Sequence, residues 1–287
     1  MEQKFKTVIT SDHKLLDLHL KELIEYKDLI KLFVKRDFTA LYKQTILGPS
    51  WAIIQPLFTT IVFSVVFGNL AKLTTLDVSG DYFIPNFLFY MSGNICWSYF
   101  SSSVDRISNV FLNNAHIMGK VYYPRLVTPI ATAISKLISF GIQFAIFIVI
   151  WLFYVIKGGT SIVVSFKLLL APLAIIEMVI LATGFGIVIS SATTKYRDLT
   201  FAVNFCLQLW QYASPIAYGL NMIPNKYLSL YMLNPIAPIV TTFRYALFGT
   251  GYFNFTFYLI SWLLTLIIFV IGVILYSKIE RTFADTI

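Results

Sequence analysis

The chain has 287 residues, 57% of them hydrophobic and only 13% charged, with a net charge of +8 and a mean hydropathy of +0.75. That is more apolar surface than one soluble core could hide, so the composition excludes an ordinary soluble domain and points to a bilayer. Its two cysteines, Cys96 and Cys206, lie in apolar runs, which excludes a disulfide framework or a paired-cysteine metal site.

Residues 1–47 are polar and charged at their start and lack the apolar core and cleavage site of a secretory signal. Within them Leu16, Leu20, Leu23, Ile24, Ile30, Val34, Phe38 and Leu41 share one helical face, while Lys21, Glu22, Glu25, Asp28, Lys35 and Arg36 point away. Lys27 and Lys31 interrupt that face, with stems long enough to reach headgroups. The pattern predicts an amphipathic helix lying in the membrane surface.

Residues 48–287 then form a membrane domain. Crossing ~30 Å of hydrocarbon takes roughly 20 apolar residues, and six runs qualify: 51–70, 82–100, 126–156, 168–189, 199–217 and 255–275. Unpaired backbone groups are too costly in lipid for anything but helices or a closed barrel, and the runs lack the alternation of barrel strands. Between the second and third spans, the loop 113–125 mixes apolar and basic side chains. Ile117, Met118 and Tyr122 are candidate anchors for a soluble partner, with Lys120 and Arg125 as a rim; a simple connecting turn is the alternative. Before the last span, the apolar stretch 228–248 is broken by Pro235 and Pro238 and contains Arg244. It predicts short re-entrant helices within an external region, 219–254, rather than one kinked span. The fold class expected is an all-α integral membrane protein with an N-terminal amphipathic interface helix, six transmembrane helices and short re-entrant helices before the last. With both termini cytoplasmic, sixteen Lys and Arg fall inside and five outside, which favours that orientation. The basic charge thus reads as topology, with no nucleic acid involved.

No glycine opens the GxxxxGK[ST] cradle that ATP needs, so the chain is not its own motor. HExxH and GxSxG are absent, and His13, His19 and His116 are too scattered for a metal site, so neither catalysis nor a bound cofactor is expected. Glu177 and Lys136 are the clear midspan charges, and one carboxylate is too few for a proton-coupled carrier. Glu177 is read as a packing residue or a gating residue. Aromatic side chains abound, and Tyr90, Trp97, Tyr99, Phe100, Trp210, Tyr212 and Tyr218 sit among polar neighbours such as Ser92, Asn94, Ser98, Asn204, Gln208 and Gln211. Aromatic faces beside hydroxyls and amides suit a sugar chain, and these seven are the candidate channel residues.

Several segments together resemble the permease subunit of the polysaccharide-exporting ABC transporters, the family that includes O-antigen, capsule and teichoic acid exporters. They are Arg36-Asp37, the run from Leu47 through Gly48, Pro49, Ser50 and Trp51 to Gln55-Pro56-Leu57, and the loop from Lys120 to Arg125. Further on come Tyr196-Arg197-Asp198-Leu199, Ser214-Pro215-Ile216 with Tyr218, Asn234-Pro235 and Arg244-Tyr245. The resemblance implies a homodimer in the bacterial cytoplasmic membrane that exports lipid-linked polysaccharide, with two separate ATP-binding subunits holding ATP and Mg. It implies docking of those subunits through the amphipathic helix and the first inner loop. The expected coupling set is Arg36, Asp37, Asn113, His116, Ile117, Met118, Lys120, Tyr122, Pro124 and Arg125. It also implies external gate helices before the last span, with Pro235 and Arg244 as gating candidates. The rival readings are a drug or lipid exporter permease of the same superfamily, and a secondary carrier or flippase.

Overall fold

The computed structural model describes residues 20–43, 45–71, 84–118, 123–158, 162, 165–196 and 198–282. Among these, all regular structure is helical. The amphipathic segment is two pieces, α1 (Leu20–Glu25) and α2 (Lys27–Tyr42), meeting at Tyr26. The break changes the expected face: Leu23 and Phe33 are buried, Ile30 and Val34 pack beside them, and Ile24, expected inside, is 72% exposed. At roughly 100° per residue, Ile24 stands about 120° round a helix from Ile30, at the edge of the expected face.

α3 (Trp51–Phe63) continues as a π-helix over Ser64–Leu70. α4 (Asn86–Ser108) follows, then α5 (Val110–Met118), α6 (Val127–Lys157), α7 (Leu170–Thr193) and α8 (Leu199–Tyr212). Two short helices, α9 (Asn225–Tyr231) and α10 (Ile236–Phe248), precede α11 (Phe255–Thr282). Part of the expected coupling loop is therefore helix, since α5 runs through Met118.

Among the described residues, four segments are long and apolar enough to cross a membrane: Gly48–Leu70, Val127–Lys157, Phe166–Thr193 and Phe255–Lys278. They match the first, third, fourth and sixth expected spans. The second, α4, has the length at 23 residues, but its serines and asparagine lower its hydropathy. It is the central helix, with sixteen residues buried against α3, α6, α7, α8 and α10, so its polar groups face protein rather than lipid. The fifth corrects the expectation. Helix stops at Tyr212 after 14 residues, about 21 Å at 1.5 Å per residue, short of the bilayer core. Pro215 explains the stop: it donates no hydrogen bond and disfavours helical geometry at Ser214, so Ser214 to Ala217 run on as a buried turn.

Packing is tightest where side chains vanish. A Cβ on Gly184 of α7 would lie 2.9 Å from the Phe269 Cα of α11, and one on Gly272 would lie 2.9 Å from the Gly184 carbonyl. Backbone meets backbone there, the usual solution where lipid supplies no hydrophobic drive between helices. α2 packs against α6, and Phe33 meets Tyr123 edge-on at 5.6 Å.

Candidate functional site

The polar faces of four helices converge on one groove of about 620 Å³. α3 supplies Trp51, Gln55 and Thr59; α4 supplies Asn94, Trp97, Ser98, Ser101, Ser102 and Asp105. α6 adds Lys136, Ser139 and Gln143, and α8 adds Asn204, Gln208 and Gln211. Each set repeats at three or four residues, so each helix turns one polar stripe inward while its other faces stay apolar. Asn94 donates to the Thr60 hydroxyl at 3.3 Å, and Thr60 donates to the Pro56 carbonyl at 2.7 Å, which fixes α3 against α4. The amide oxygens of Asn94 and Gln143 are buried and accept nothing from the described residues.

Of the seven aromatic candidates, only Trp97 lines this groove. Tyr90 and Phe100 are fully buried, and Tyr99 is buried with its hydroxyl donating to the Ala133 carbonyl at 3.3 Å. Trp210 is half-buried in a cluster with Phe100 at 5.3 Å and Phe185 at 5.1 Å. Tyr212 is exposed, and its carbonyl accepts from the Tyr218 hydroxyl at 2.9 Å. The aromatic side chains thus brace the wall, and amides and hydroxyls form its surface. The inward stripe of Ser98, Ser101, Ser102 and Asp105 was the sequence signal for this, visible as polar residues at helical spacing.

At one end, Arg36 of α2 donates to one Asp37 carboxylate oxygen through Nε at 2.9 Å and Nη2 at 2.8 Å. Its Nη2 also donates to the Asn114 side-chain oxygen of α5 at 2.9 Å, and its guanidinium lies 4.6 Å from the Phe33 ring. Arg36, Asp37, Asn113, His116 and Ile117 share a second cavity, of about 240 Å³, together with Arg106 and Asn114. Half of the expected coupling set is thereby brought together. Pro124 is buried, and Arg125 is half-buried with its carbonyl accepting from the Tyr276 hydroxyl at 3.2 Å. Lys120 and Tyr122 lie outside the described residues, as does the side chain of Met118. Burial lifts the Tyr123 phenol above its ordinary value, against the opposing pull of Arg36 and Arg125.

At the opposite end, Arg244 of α10 is 4% exposed. It donates to the Pro215 carbonyl, to Ile216 O at 3.0 Å, to Phe89 O at 3.3 Å and to Ser92 Oγ at 3.3 Å. Its guanidinium stacks 3.7 Å above the Phe89 ring. One side chain thus joins α10, α4 and the turn after α8. Asn234, which precedes Pro235, accepts from Trp210 Nε1 at 3.0 Å and donates to Ser214 Oγ at 3.1 Å and Ala213 O at 3.2 Å. Neither role was legible in the sequence, because the partners are remote along the chain.

Glu177 of α7 is fully buried, and its Oε1 lies 2.6 Å from Ser261 Oγ of α11. The Ser261 hydroxyl also lies 2.9 Å from the Pro235 carbonyl, at the start of α10. A serine has one proton for these two oxygens, so both contacts are complete when the carboxyl supplies the other. Glu177 and Pro235 therefore meet at one joint linking α7, α10 and α11. No group of three or more metal-ligating side chains occurs among the described residues.

Membrane-crossing helices around a polar groove, with a charged cluster at one end, define a multi-pass membrane protein. The match agrees: residues 28–248 fit the family model of the ABC-2 type transporter, and the chain belongs to that family. It is thus a membrane subunit of an ABC transporter, a machine whose ATP-binding component is its partner. The chain is 27% identical over 259 residues to an O-antigen export system permease protein RfbA of Klebsiella pneumoniae, covering 90% of this chain and 94% of that one. A protein of the same name from Myxococcus xanthus is 24% identical, with 78% and 82% covered. The polysialic acid transport protein KpsM of Escherichia coli is 26% identical, with 70% and 73% covered.

Proposed function

We propose that this chain is the membrane-spanning permease subunit of an ATP-driven exporter that moves lipid-linked polysaccharide across the bacterial cytoplasmic membrane. The observation that carries this reading is the groove, in which 13 of the 19 lining residues are polar or charged although the helices around it are built for lipid. Hydroxyls and amides exchange hydrogen bonds readily with successive sugars without fixing their sequence, whereas a drug or lipid exporter needs an apolar path. The export functions named for the Klebsiella, Myxococcus and Escherichia relatives support the same substrate class.

Two copies of the chain, with their grooves facing, enclose the passage. Both termini are cytoplasmic. ATP and Mg are held by two separate ATP-binding subunits, which dock beside Arg36, Asp37, Asn113, His116 and Ile117. Their closure on ATP pushes α5 and α2, spreads the grooves, and lets the polymer pass while its lipid is reoriented. The chain itself makes and breaks no covalent bond.

The test is co-purification in mild detergent with the ATPase encoded beside this gene, followed by export assays in cells lacking either subunit. A stable complex, with export lost in both deletions and ATP hydrolysis uncoupled in R36A, is the expected result. Export that persists without any such ATPase overturns the reading in favour of a secondary carrier.

A further inference from the structure

Lys136 is the one basic side chain among the described residues lining the groove. It is half-buried, and among the described residues its ammonium makes no hydrogen bond or ion pair. Arg36 is engaged with Asp37 and Asn114, Arg244 with carbonyls, and Lys167 with the Gly249 carbonyl at 2.8 Å, while Arg106 of α4 is exposed and lies outside the groove lining. A charge held in a membrane segment is costly and is retained where it is used. Asp105 lines the same groove and Asp37 lies within electrostatic reach, yet neither closes to an ion pair with it.

Its position is equally specific. Lys136 stands about 14 Å along α6 from its inner end, at 1.5 Å per residue. α2 packs across that first part of α6, and Leu41 near the end of α2 lines the groove with Lys136. Lys136 thus stands in the part of the groove beside the interfacial helix. About 10 Å further along the same face of α6 stands Gln143, with Asn94 also on the groove wall. They are 8% and 4% exposed, and each keeps an amide oxygen that accepts no hydrogen bond from the described residues. The groove therefore offers one uncommitted cation, while those two amide oxygens are buried in its wall.

We propose that Lys136 is the binding contact for an anionic oxygen group, phosphate or carboxylate, on the exported molecule. This rests on the export reading above. An anion of this kind has two sources: the linkage between sugar and lipid, or an acidic sugar.

The experiment uses the full chain with its ATPase partner in nanodiscs of phosphatidylcholine, and measures binding of two anionic probes. One is a long-chain isoprenyl diphosphate without sugar, the other a lipid-free oligosaccharide of uronic acids; uncharged isoprenol is the control. The inference expects K136Q to weaken at least one anionic probe roughly tenfold or more, the loss of a charged hydrogen bond. K136R restores most of that affinity, and isoprenol binds both forms alike. Loss confined to the diphosphate assigns the anion to the lipid linkage, and loss confined to the oligosaccharide assigns it to the sugar. Should K136Q not assemble, S139D carries the test, because a carboxylate one turn from Lys136 repels the same probe. Anionic probes that bind wild type no better than isoprenol, or bind K136Q and S139D as well as wild type, overturn the inference. Such a result, with export still dependent on the chain, leaves the proposed function standing.

Discussion

Gly93 shows how a single missing side chain holds a site together. A Cβ there would lie 2.5 Å from Arg244 Nη2 and 3.3 Å from the Ile216 Cα, so the guanidinium occupies space that only glycine leaves. G93A is expected to destabilise the protein by about 1–3 kcal/mol, the range for overpacking a closed site. G141A is the control, because its Cβ meets nothing within 4 Å; removing a helical glycine there should stabilise by about 0.5–1 kcal/mol. Melting curves in detergent distinguish the two directions. Glu177 allows a similar contrast. E177Q keeps a group that can donate to Ser261 and should melt close to wild type. E177A leaves a cavity and empties the joint with Ser261, and is expected to cost about 2–4 kcal/mol.

At the level of elements, the outer hairpin of α9 and α10 is keyed to the rest by Asn234 and Arg244 rather than by apolar area alone. Asn234 binds the end of α8 through Trp210, Ala213 and Ser214. N234A should therefore free Trp210 from its hydrogen bond, shift the tryptophan emission, and raise hydrogen exchange over 213–217, while α7 and α11 remain protected. Unchanged exchange in that turn would show that the key is not needed. The α7–α11 pair depends instead on close backbone approach. Because the atom facing Gly184 is the Phe269 backbone, which cannot rotate away, G184V is expected to abolish folded expression, read by size-exclusion profile.

For the molecule as a whole, the groove is the proposed route, and its walls come from α3, α4, α6 and α8. Ser101 faces it from the central helix, and the side chain is half-exposed, so a large residue there fills the passage without disturbing the core. S101W should reduce polysaccharide export to background while the complex with the ATPase assembles and hydrolyses ATP, measured by surface staining and ATPase assay. Full export by this variant would place the route elsewhere. The proposed coupling surface is a separate cavity. It is built from α2 and α5, two elements brought together by the bond from Arg36 to Asn114 across 78 residues of chain.

The membrane class, the runs of apolar residues and the amphipathic start were legible in the sequence, because hydropathy over 20 residues reports the solvent that a helix must meet. So were the proline-broken outer segment and the paired Arg36-Asp37, which are local features. Three readings shifted for a common reason. The fifth span ended early at the turn before Pro215, the coupling loop proved partly helical, and Tyr90, Tyr99 and Phe100 proved to be core rather than channel surface. An aromatic side chain in a buried helix can serve the packing or the passage, and its identity does not say which. That choice depends on what stands opposite. The partners of Arg244 at Phe89 and Ser92 lie 155 and 152 residues away, and the polar stripes of four helices become a groove only when each turns toward the others. The sequence alone determined which segments enter the lipid; the tertiary structure alone decided which faces meet, because contact between remote segments is a property of packing and not of local composition.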